Sequence, residues 1–291
     1  MSRAVLRWLA PVMLLGLSHA AVAAAPLALD VYNPGEAAIF PVSSVLVSGE
    51  KEAVLIDAQF ARPQAEQLVK KIQSSGKRLK TIYISHGDPD YYFGLQTLAE
   101  AFPQADIVAT AQTVAHIRAT RDDKLAYWGP KLGQDAPREV MLPKVMTGNT
   151  LRLEGRELQV IGLDGAQPDR TFVWIPSIKA VVGGVVLSNN IHVWMADTQT
   201  AQSRTDWLKT LEHIQQLDPV TVVPGHYLAG RLAPAQAPAF TARYVKDFIE
   251  QSAKAKDSTA LIKAMTGLYP GLADEASLDL SAKVDKGEMA W

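Results

Sequence analysis

The sequence contains no cysteine among its 291 residues. This absence excludes disulfide bonds and thiolate metal ligands, so imidazoles and carboxylates must supply any metal ligands that the chain has. Histidine is also scarce, at six residues. The formal net charge is −1, from 29 basic and 30 acidic residues, and this balance gives no reason to expect nucleic acid or an anionic membrane as a partner.

Long apolar runs are absent beyond the N-terminus. Residues 1–23 combine Arg3 and Arg7, an apolar run through Leu17 and the small residues Ala21-Val22-Ala23, which is typical of a cleaved secretory signal peptide. An uncleaved membrane anchor is the alternative, although the apolar run is short for one. Cleavage removes two arginines and no acidic residue, which leaves 27 basic and 30 acidic residues and a net charge near −3. We predict a periplasmic or secreted protein without stable membrane association after cleavage.

Potential chemistry is concentrated in the stretch from Lys80 to Leu95. A buried strand is predicted over Thr81–Ile84, and the glycine and proline that follow it place the next residues on a loop. Three polar side chains on this loop are spaced by two residues: His86, Asp88 and Asp90. If they converge, one imidazole and two carboxylates would suit a divalent cation. A plain polar turn after a strand is the alternative.

This loop resembles the signature loop of the metallo-β-lactamase superfamily, in which a strand is followed by His-x-His-x-Asp-His. Two further landmarks fall in the expected order: Asp57 ends an early apolar run, and His226 ends Val222-Val223-Pro224-Gly225-His226, which is similar to the family's final strand and last histidine ligand. The resemblance covers roughly residues 30 to 230. It implies an α/β (α+β) chain with the four-layer αβ/βα sandwich of the metallo-β-lactamase type over residues 24–232. Residues 233–291 are predicted to form a C-terminal helical extension packed on the same domain.

The ligand positions of the family are altered here. Asp88 stands at the second histidine, Tyr91 at the fourth, Asp164 aligns with the middle histidine and Val185 with the metal-bridging aspartate. The resemblance therefore implies five metal ligands: His86, Asp88 and Asp164 at the first position, and Asp90 and His226 at the second. Carboxylates replace imidazoles, and the second metal position keeps only two ligands. We therefore expect one divalent metal at most, zinc or else manganese or iron. A metal-free site is the alternative.

Helical and strand patterns alternate along the rest of the chain. Helices are predicted over Arg62–Ser75, Gly94–Phe102, Ala111–Thr120, Ser203–Leu217, Phe240–Ala255 and Thr259–Met265. A strand is predicted over Lys179–Leu187, and the tail to Trp291 has no pattern. Residues 122–143 lack periodicity, which predicts a long connection. Its Tyr127 and Trp128 would either form a wall of the substrate site or lie in a solvent-exposed loop.

The remaining histidines differ in their sequence surroundings. His192 follows an apolar run at a strand end, where it would either contact substrate or pack under Trp194. His116 and His213 lie within helical patterns away from any motif, and we predict that both are structural.

Three carboxylates that lie close together at strand ends cannot all stay ionised unless a cation neutralises them or at least one of them takes up a proton. If a metal compensates them, the resemblance implies a metal-dependent hydrolase that uses metal-activated water on an ester, lactone, thioester or amide-like small molecule. Asp90 would then be the base, and Tyr91 or His192 would orient the substrate. If no metal is held, the fold either binds a small ligand without catalysis or hydrolyses it by carboxylate acid–base chemistry. The sequence does not indicate an oligomeric state.

Overall fold

The structure is a computed structural model that describes residues 25–291. The predicted signal peptide, residues 1–23, lies outside the described residues. Within the part of the chain that the structure describes, no helix combines the length and the apolar character needed to cross a membrane.

The N-terminal half forms a mixed six-stranded sheet. Its strands, in the order in which they lie side by side, are β1 (Ala28–Tyr32), β2 (Ser44–Ser48), β3 (Glu52–Ile56), β4 (Arg78–Ile84), β5 (Asp106–Ala109) and β6 (Lys144–Val145). The pairs from β1 to β3 are antiparallel, and those from β3 to β6 are parallel. Parallel pairs need crossover connections, which contain α1 (Arg62–Ser75), α2 (Pro89–Tyr92), α3 (Leu95–Ala101) and α4 (Ala111–Leu132).

The C-terminal half forms a five-stranded sheet in the order β12-β10-β9-β8-β7. Its strands are β7 (Thr150–Leu153), β8 (Arg156–Ile161), β9 (Phe172–Ile175), β10 (Ala180–Val182) and β12 (Thr221–Val222). A separate parallel pair joins β11 (Ser188–Asn189) and β13 (His226–Tyr227). The helices of this half are α5 (Ala201–Gln216), α6 (Ala237–Lys254), α7 (Ser258–Leu268) and α8 (Glu275–Asp285).

Three groups of buried apolar side chains separate four layers. The first joins the six-stranded sheet to the helices that cover it, and includes Leu68, Ile82, Leu98 and Ile117. The second lies between the two sheets, and includes Val54, Tyr83, Val160 and Val173. The third joins the five-stranded sheet to the C-terminal helices, and includes Val181, Trp207, Phe248, Leu261 and Leu278. The predicted order of helix, sheet, sheet and helix is thereby confirmed, and α6 to α8 share one core with the second sheet.

Three elements differ from the prediction. The helix predicted over Ala111–Thr120 continues to Leu132, so most of the predicted connection over residues 122–143 is helical, although it contains Pro130. The tail contains α8, which begins where the Asp274 side chain accepts a hydrogen bond from the Ser277 N–H. The strand predicted over Lys179–Leu187 ends at Val182, because Gly183 and Gly184 take positive φ angles of 69° and 83°.

The ends of several strands meet at one edge of the two sheets. β3 and β4 run parallel, so the segments that follow them, at Asp57 and Ser85, lie side by side. The Ser85 hydroxyl accepts a hydrogen bond from the Gly184 N–H at 2.8 Å, which connects this edge to the end of β10. The Ser43 N–H donates to the Gly225 carbonyl at 2.8 Å and brings the segment before His226 to the same place.

Candidate active site

The loop after β4 packs tightly against α4. β4 ends at Ile84, and Pro89 begins the short helix α2, whose first turn contains Asp90. Proline suits this position because its fixed φ angle is helical and the N–H that it lacks would have no partner in the first turn. A side chain at Gly87 would clash with α4, since its Cβ would lie 2.4 Å from Cδ2 of His116. His86 and Asp90 are buried as a result, with 6% and 5% of their surface exposed.

Asp57 anchors the base of this loop. It has a positive φ of 66°, which aspartate tolerates better than most residues. Its carboxylate accepts hydrogen bonds from the N–H of Ser85 at 2.8 Å and from the Ser85 hydroxyl at 2.7 and 2.9 Å. Burial raises the pKa of Asp57 to about 7, against the opposing effect of these hydrogen bonds. Asp57 is therefore a structural acid that titrates near neutral pH.

Asp88 is held by two partners at once. Its Oδ2 lies 3.0 Å from His86 Nε2, and its Oδ1 lies 2.6 Å from the ammonium of Lys124. Burial opposes ionisation, but the charges and hydrogen bonds of His86 and Lys124 prevail and hold the pKa of Asp88 well below its usual value. Lys124 Nζ also lies 3.1 Å from the Gly87 carbonyl oxygen and 3.2 Å from His116 Nε2. The ammonium thus has three acceptors within hydrogen-bond distance.

Asp90 is paired with the last histidine of the predicted site. Its Oδ2 lies 2.7 Å from His226 Nε2, and His226 Nδ1 lies 3.2 Å from the Tyr91 hydroxyl. Burial and then the charge of Asp90 raise the pKa of Tyr91 well above its usual value. The hydroxyl therefore stays protonated and donates to Nδ1, which leaves His226 Nε2 to donate to Asp90. Within residues 25–291 Asp90 Oδ1 has no hydrogen-bond partner.

A cavity of about 440 Å³ opens in front of these residues. Aromatic side chains form much of its wall: Phe40, Tyr127, Trp128, Trp194, Trp207 and Trp291. Its charged and polar lining includes Asp88, Asp90, Asp123, Lys124, Arg170, His192, Asp197, His226 and Asp274. A concave aromatic wall is typical of a small-molecule site, and the charged and polar groups could orient a bound molecule.

The predicted residues are placed at different depths in this site. Asp88, Asp90 and His226 line the cavity, while His86 lies behind Asp88 and Tyr91 is fully buried behind His226. The predicted contacts Tyr127, Trp128 and His192 line the cavity, and Nδ1 of His192 lies 2.9 Å from the Tyr244 hydroxyl.

Asp164 is a correction to the predicted ligand set. It is exposed, does not line the cavity, and in the described chain forms no hydrogen bond or ion pair with the other predicted ligands. The sequence alignment placed it at a strand end, but β8 ends at Ile161 and Asp164 lies in the turn beyond it. Val185 lines the cavity and offers no ligand atom.

Sequence reasoning missed two cations of the cavity wall and the proximity of His116 to the site. Lys124 fell in a stretch that was predicted to be irregular, and Arg170 lies in the loop two residues before the start of β9. His116, predicted to be structural only, lies against the site through Lys124 and through its ring contact with His86, at 6.5 Å between centroids. A spacing of eight residues on one helix places His116 and Lys124 on the same face, which is a signal that could have found them.

Comparison with known proteins identifies the family. The family model of the metallo-beta-lactamase superfamily matches residues 38–226. The chain belongs to the metallo-β-lactamase superfamily. A curated relative, metallo-beta-lactamase type 2 of Bacteroides fragilis, is 26% identical over 222 residues, which cover 74% of this chain and 79% of that protein. YobT of Bacillus subtilis, an uncharacterized protein, is 33% identical over 102 residues, 35% of this chain, and the match spans only 39% of that protein.

Solved structures of metallo-β-lactamases share the fold. The enzyme from Pontibacter korlensis superposes with a TM-score of 0.52 at 20% identity, over 76% of this chain and 93% of that one. DIM-1 gives a TM-score of 0.55 at 18% identity, over 77% of this chain and 98% of that one. Membership in the superfamily supports a hydrolase-type function.

Members of the metallo-β-lactamase superfamily usually bind divalent metals, but the residues here do not fit such a centre. Among residues 25–291 no group of three or more histidine, aspartate or glutamate side chains is arranged to hold a metal ion. Each of the two predicted carboxylate ligands that line the cavity faces a partner from the chain instead: Asp88 pairs with Lys124, and Asp90 pairs with His226. Both oxygens of Asp88 are engaged within the chain, Oδ1 with Lys124 Nζ at 2.6 Å and Oδ2 with His86 Nε2 at 3.0 Å.

Proposed function

We propose that this chain is a metal-independent hydrolase that acts on a small amphipathic molecule. The observation that carries the proposal is the ion pair between Lys124 and Asp88, at 2.6 Å, in the wall of the cavity that Asp90 and His226 also line. The sequence-based hypothesis of metal-activated water needs a set of ligands that these side chains do not form. The metal-free alternative uses only groups that the structure brings together.

Asp90 is suited to act as the base. Its Oδ2 is held by His226 Nε2, so the carboxylate has a fixed direction, and its Oδ1 is available to accept a hydrogen bond from water. The water oxygen attacks the carbonyl carbon of the substrate while its proton passes to Asp90 Oδ1. The bond from that carbon to the leaving oxygen, sulfur or nitrogen then breaks, and the proton passes from Asp90 to the leaving group. His226 cannot take this role directly, because its second nitrogen accepts from the Tyr91 hydroxyl. His226 and Tyr91 are positioning residues.

Lys124 contributes through its charge. Its ammonium already has the Asp88 carboxylate, the Gly87 carbonyl and His116 as neighbours, so it is fixed in the cavity wall rather than free to swing toward a substrate. A fixed positive charge in a poorly solvated cavity stabilises negative charge that develops on the attacked carbonyl oxygen. This is the electrostatic role that metal ions have in other hydrolases.

The cavity wall favours a substrate with an apolar body. Phe40 contacts Phe60 and Trp128, with ring centroids 5.1 and 5.2 Å apart, so this side of the wall is a packed aromatic surface. The substrate class we propose is an ester, lactone, thioester or amide-like small molecule. The signal-peptide pattern of residues 1–23 supports the proposal that the protein encounters this substrate in the periplasm or outside the cell.

The proposal is tested by a hydrolysis screen with ester, lactone, thioester and β-lactam substrates on wild type and on Asp90→Asn. Loss of the base is expected to lower kcat by roughly 100-fold or more. Asp123→Asn is the matched control, because Asp123 lines the same cavity but is exposed and has no place in the proposed step. Turnover that is equal in wild type and Asp90→Asn contradicts the proposal, and binding without turnover identifies a ligand-binding protein on this fold.

A further inference from the structure

Arg170 is a buried cation whose hydrogen-bonding capacity is unused. Only 5% of its surface is exposed, yet it lines the cavity. In the described part of the chain, the guanidinium group makes no hydrogen bond, and its nearest carboxylate is that of Asp197, at 4.0 Å. A guanidinium has five N–H donors in a rigid fork, and burying them without partners is costly. The donors of Arg170 therefore face the cavity without a hydrogen-bond acceptor from the described chain, and an acceptor group of a ligand can bind them there.

Two tryptophans keep Asp197 from being that partner. Asp197 Oδ1 accepts from the indole N–H of Trp291 at 2.6 Å, and Oδ2 accepts from that of Trp194 at 2.7 Å. These bonds hold the carboxylate beyond hydrogen-bond distance of Arg170. The guanidinium carbon also lies 5.3 Å from the ring centroid of Trp207, within the range of a cation–π contact.

We propose that Arg170 binds a carboxylate group of the substrate, with the apolar body of the same molecule against the tryptophans of the cavity wall. A planar carboxylate matches the fork of a guanidinium with two parallel hydrogen bonds. This inference rests on the proposed function, since it assigns the substrate class of the same cavity.

The other charges of the cavity restrict the anion to a single negative charge. Five aspartates line the same space and repel anions: Asp88, Asp90, Asp123, Asp197 and Asp274. The cost of removing an anion from water also rises more steeply with its charge than its attraction to Arg170 does. A carboxylate with one charge can therefore be held by Arg170, whereas a phosphonate dianion of similar size is disfavoured. The expected substrate is an ester, lactone, thioester or amide that carries a free carboxylate at a second position.

Binding, rather than turnover, tests this inference. The probes are 4-phenylbutanoate, its neutral analogue 4-phenylbutanamide, and 3-phenylpropylphosphonate above the second pKa of the phosphonate. Dissociation constants are measured by tryptophan fluorescence, because Trp128, Trp194, Trp207 and Trp291 all line the cavity. We expect wild type to bind the carboxylate about tenfold or more tightly than the amide and the phosphonate, the scale of a charge-assisted hydrogen-bonded pair.

The variant Arg170→Gln is expected to bind the carboxylate and the amide within about twofold of each other, because the charge that separates them is gone. Arg118→Gln is the control, since it removes the same charge from an exposed position on α4, and it should keep the wild-type preference. If Arg170→Gln fails to fold, Arg170→Lys replaces it; a point charge without the fork should reduce the preference by several-fold.

The outcomes separate this inference from the proposed function. A carboxylate preference that depends on Arg170 supports the subsite even if no substrate is hydrolysed. Hydrolysis that depends on Asp90, together with equal affinity for carboxylate and amide, overturns the subsite and leaves the proposed function standing. Absence of a carboxylate preference in wild type, or its persistence in Arg170→Gln, also overturns the subsite.

Discussion

Lys124 Nζ lies 2.6 Å from Asp88 Oδ1 and links α4 to the loop after β4. Both side chains are largely buried, with 21% and 29% of their surfaces exposed. Through this contact the chain supplies its own permanent counter-ion to a carboxylate that the resemblance had assigned to a metal. Substitution of Lys124, or of residues near it in the site, should therefore change the stability or the activity of the protein.

Lys124→Met should destabilise the fold. The substitution keeps the length of the side chain and leaves the Asp88 carboxylate without its ammonium partner in a poorly solvated loop. Because both side chains retain some solvent contact, we expect the free energy of unfolding to fall by about 1–3 kcal/mol, less than for a fully buried pair. Urea denaturation at neutral pH measures this change.

Lys131→Met is the matched control for that experiment. Lys131 lies on the same helix, is exposed, and lies over the ring of Tyr127 at 3.4 Å. We expect its substitution to change the free energy of unfolding by no more than about 0.5 kcal/mol. An equal effect of the two substitutions would contradict a special role for the Lys124 ion pair.

The fold was accessible from the sequence because its signals are local. The apolar spacing of Arg62–Ser75 and the turn-forming Gly76 that ends the helix give α1 with its observed bounds. The continuation of α4 to Leu132 was missed because Gly129 and Pro130 are typical helix breakers and its apolar face is weak. Leu125, Trp128 and Leu132 of this continuation pack against the core of the N-terminal half and stabilise the helix in spite of them.

Only the site residues that follow the ends of strands could be predicted from the sequence. His86, Asp88, Asp90 and His226 follow strands that meet at one edge, so sequence position alone could bring them together. Lys124 and Arg170 reach the same cavity from a helix and from the loop before β9, and no local pattern marks which way a long cationic side chain points. The same limit explains the error at Asp164, since an alignment assigns a position but not the direction of a side chain.

The hydrogen bond between Tyr91 and His226 gives a second prediction. Tyr91→Phe removes the donor to His226 Nδ1 and leaves that nitrogen without a partner in a partly buried position, which should cost about 1 kcal/mol of stability. Turnover should fall by less than in Asp90→Asn, because the base itself remains. Stability and kcat are both measured on the purified variant.

Tyr92→Phe is a stringent control for this prediction. Tyr92 is the next residue, is equally buried, and within residues 25–291 its hydroxyl has no hydrogen-bond partner. Removal of an unsatisfied buried hydroxyl is expected to be neutral or stabilising. A larger loss of stability in Tyr92→Phe than in Tyr91→Phe would argue against the assigned hydrogen bond.

Asp57 makes stability depend on pH. Its pKa is raised from 3.8 to about 7 by burial, so the folded state holds its proton more tightly than the unfolded state. The associated stabilisation is fully present below the unfolded pKa and is lost as the pH rises through the folded pKa. Between pH values of about 4 and 8, wild type should therefore lose on the order of 3 kcal/mol relative to Asp57→Asn.

The asparagine variant suits this comparison because it mimics the protonated acid and tolerates the positive φ of this position. The measurement is the free energy of unfolding at several pH values for both proteins. Asp106→Asn, at an exposed position, should keep the wild-type pH dependence. Parallel curves for wild type and Asp57→Asn would show that Asp57 does not titrate in this range.

Metal independence is the central claim, and one measurement tests it directly. Wild type is purified without added metal, its metal content is determined by mass spectrometry, and hydrolysis of the best substrate from the screen is followed before and after dialysis against a strong chelator. The account predicts far less than one equivalent of any divalent metal and a turnover that changes by less than about twofold, since Asp90, His226 and Lys124 do not depend on a bound ion. Turnover that is lost on chelation and restored by zinc, manganese or iron would contradict it.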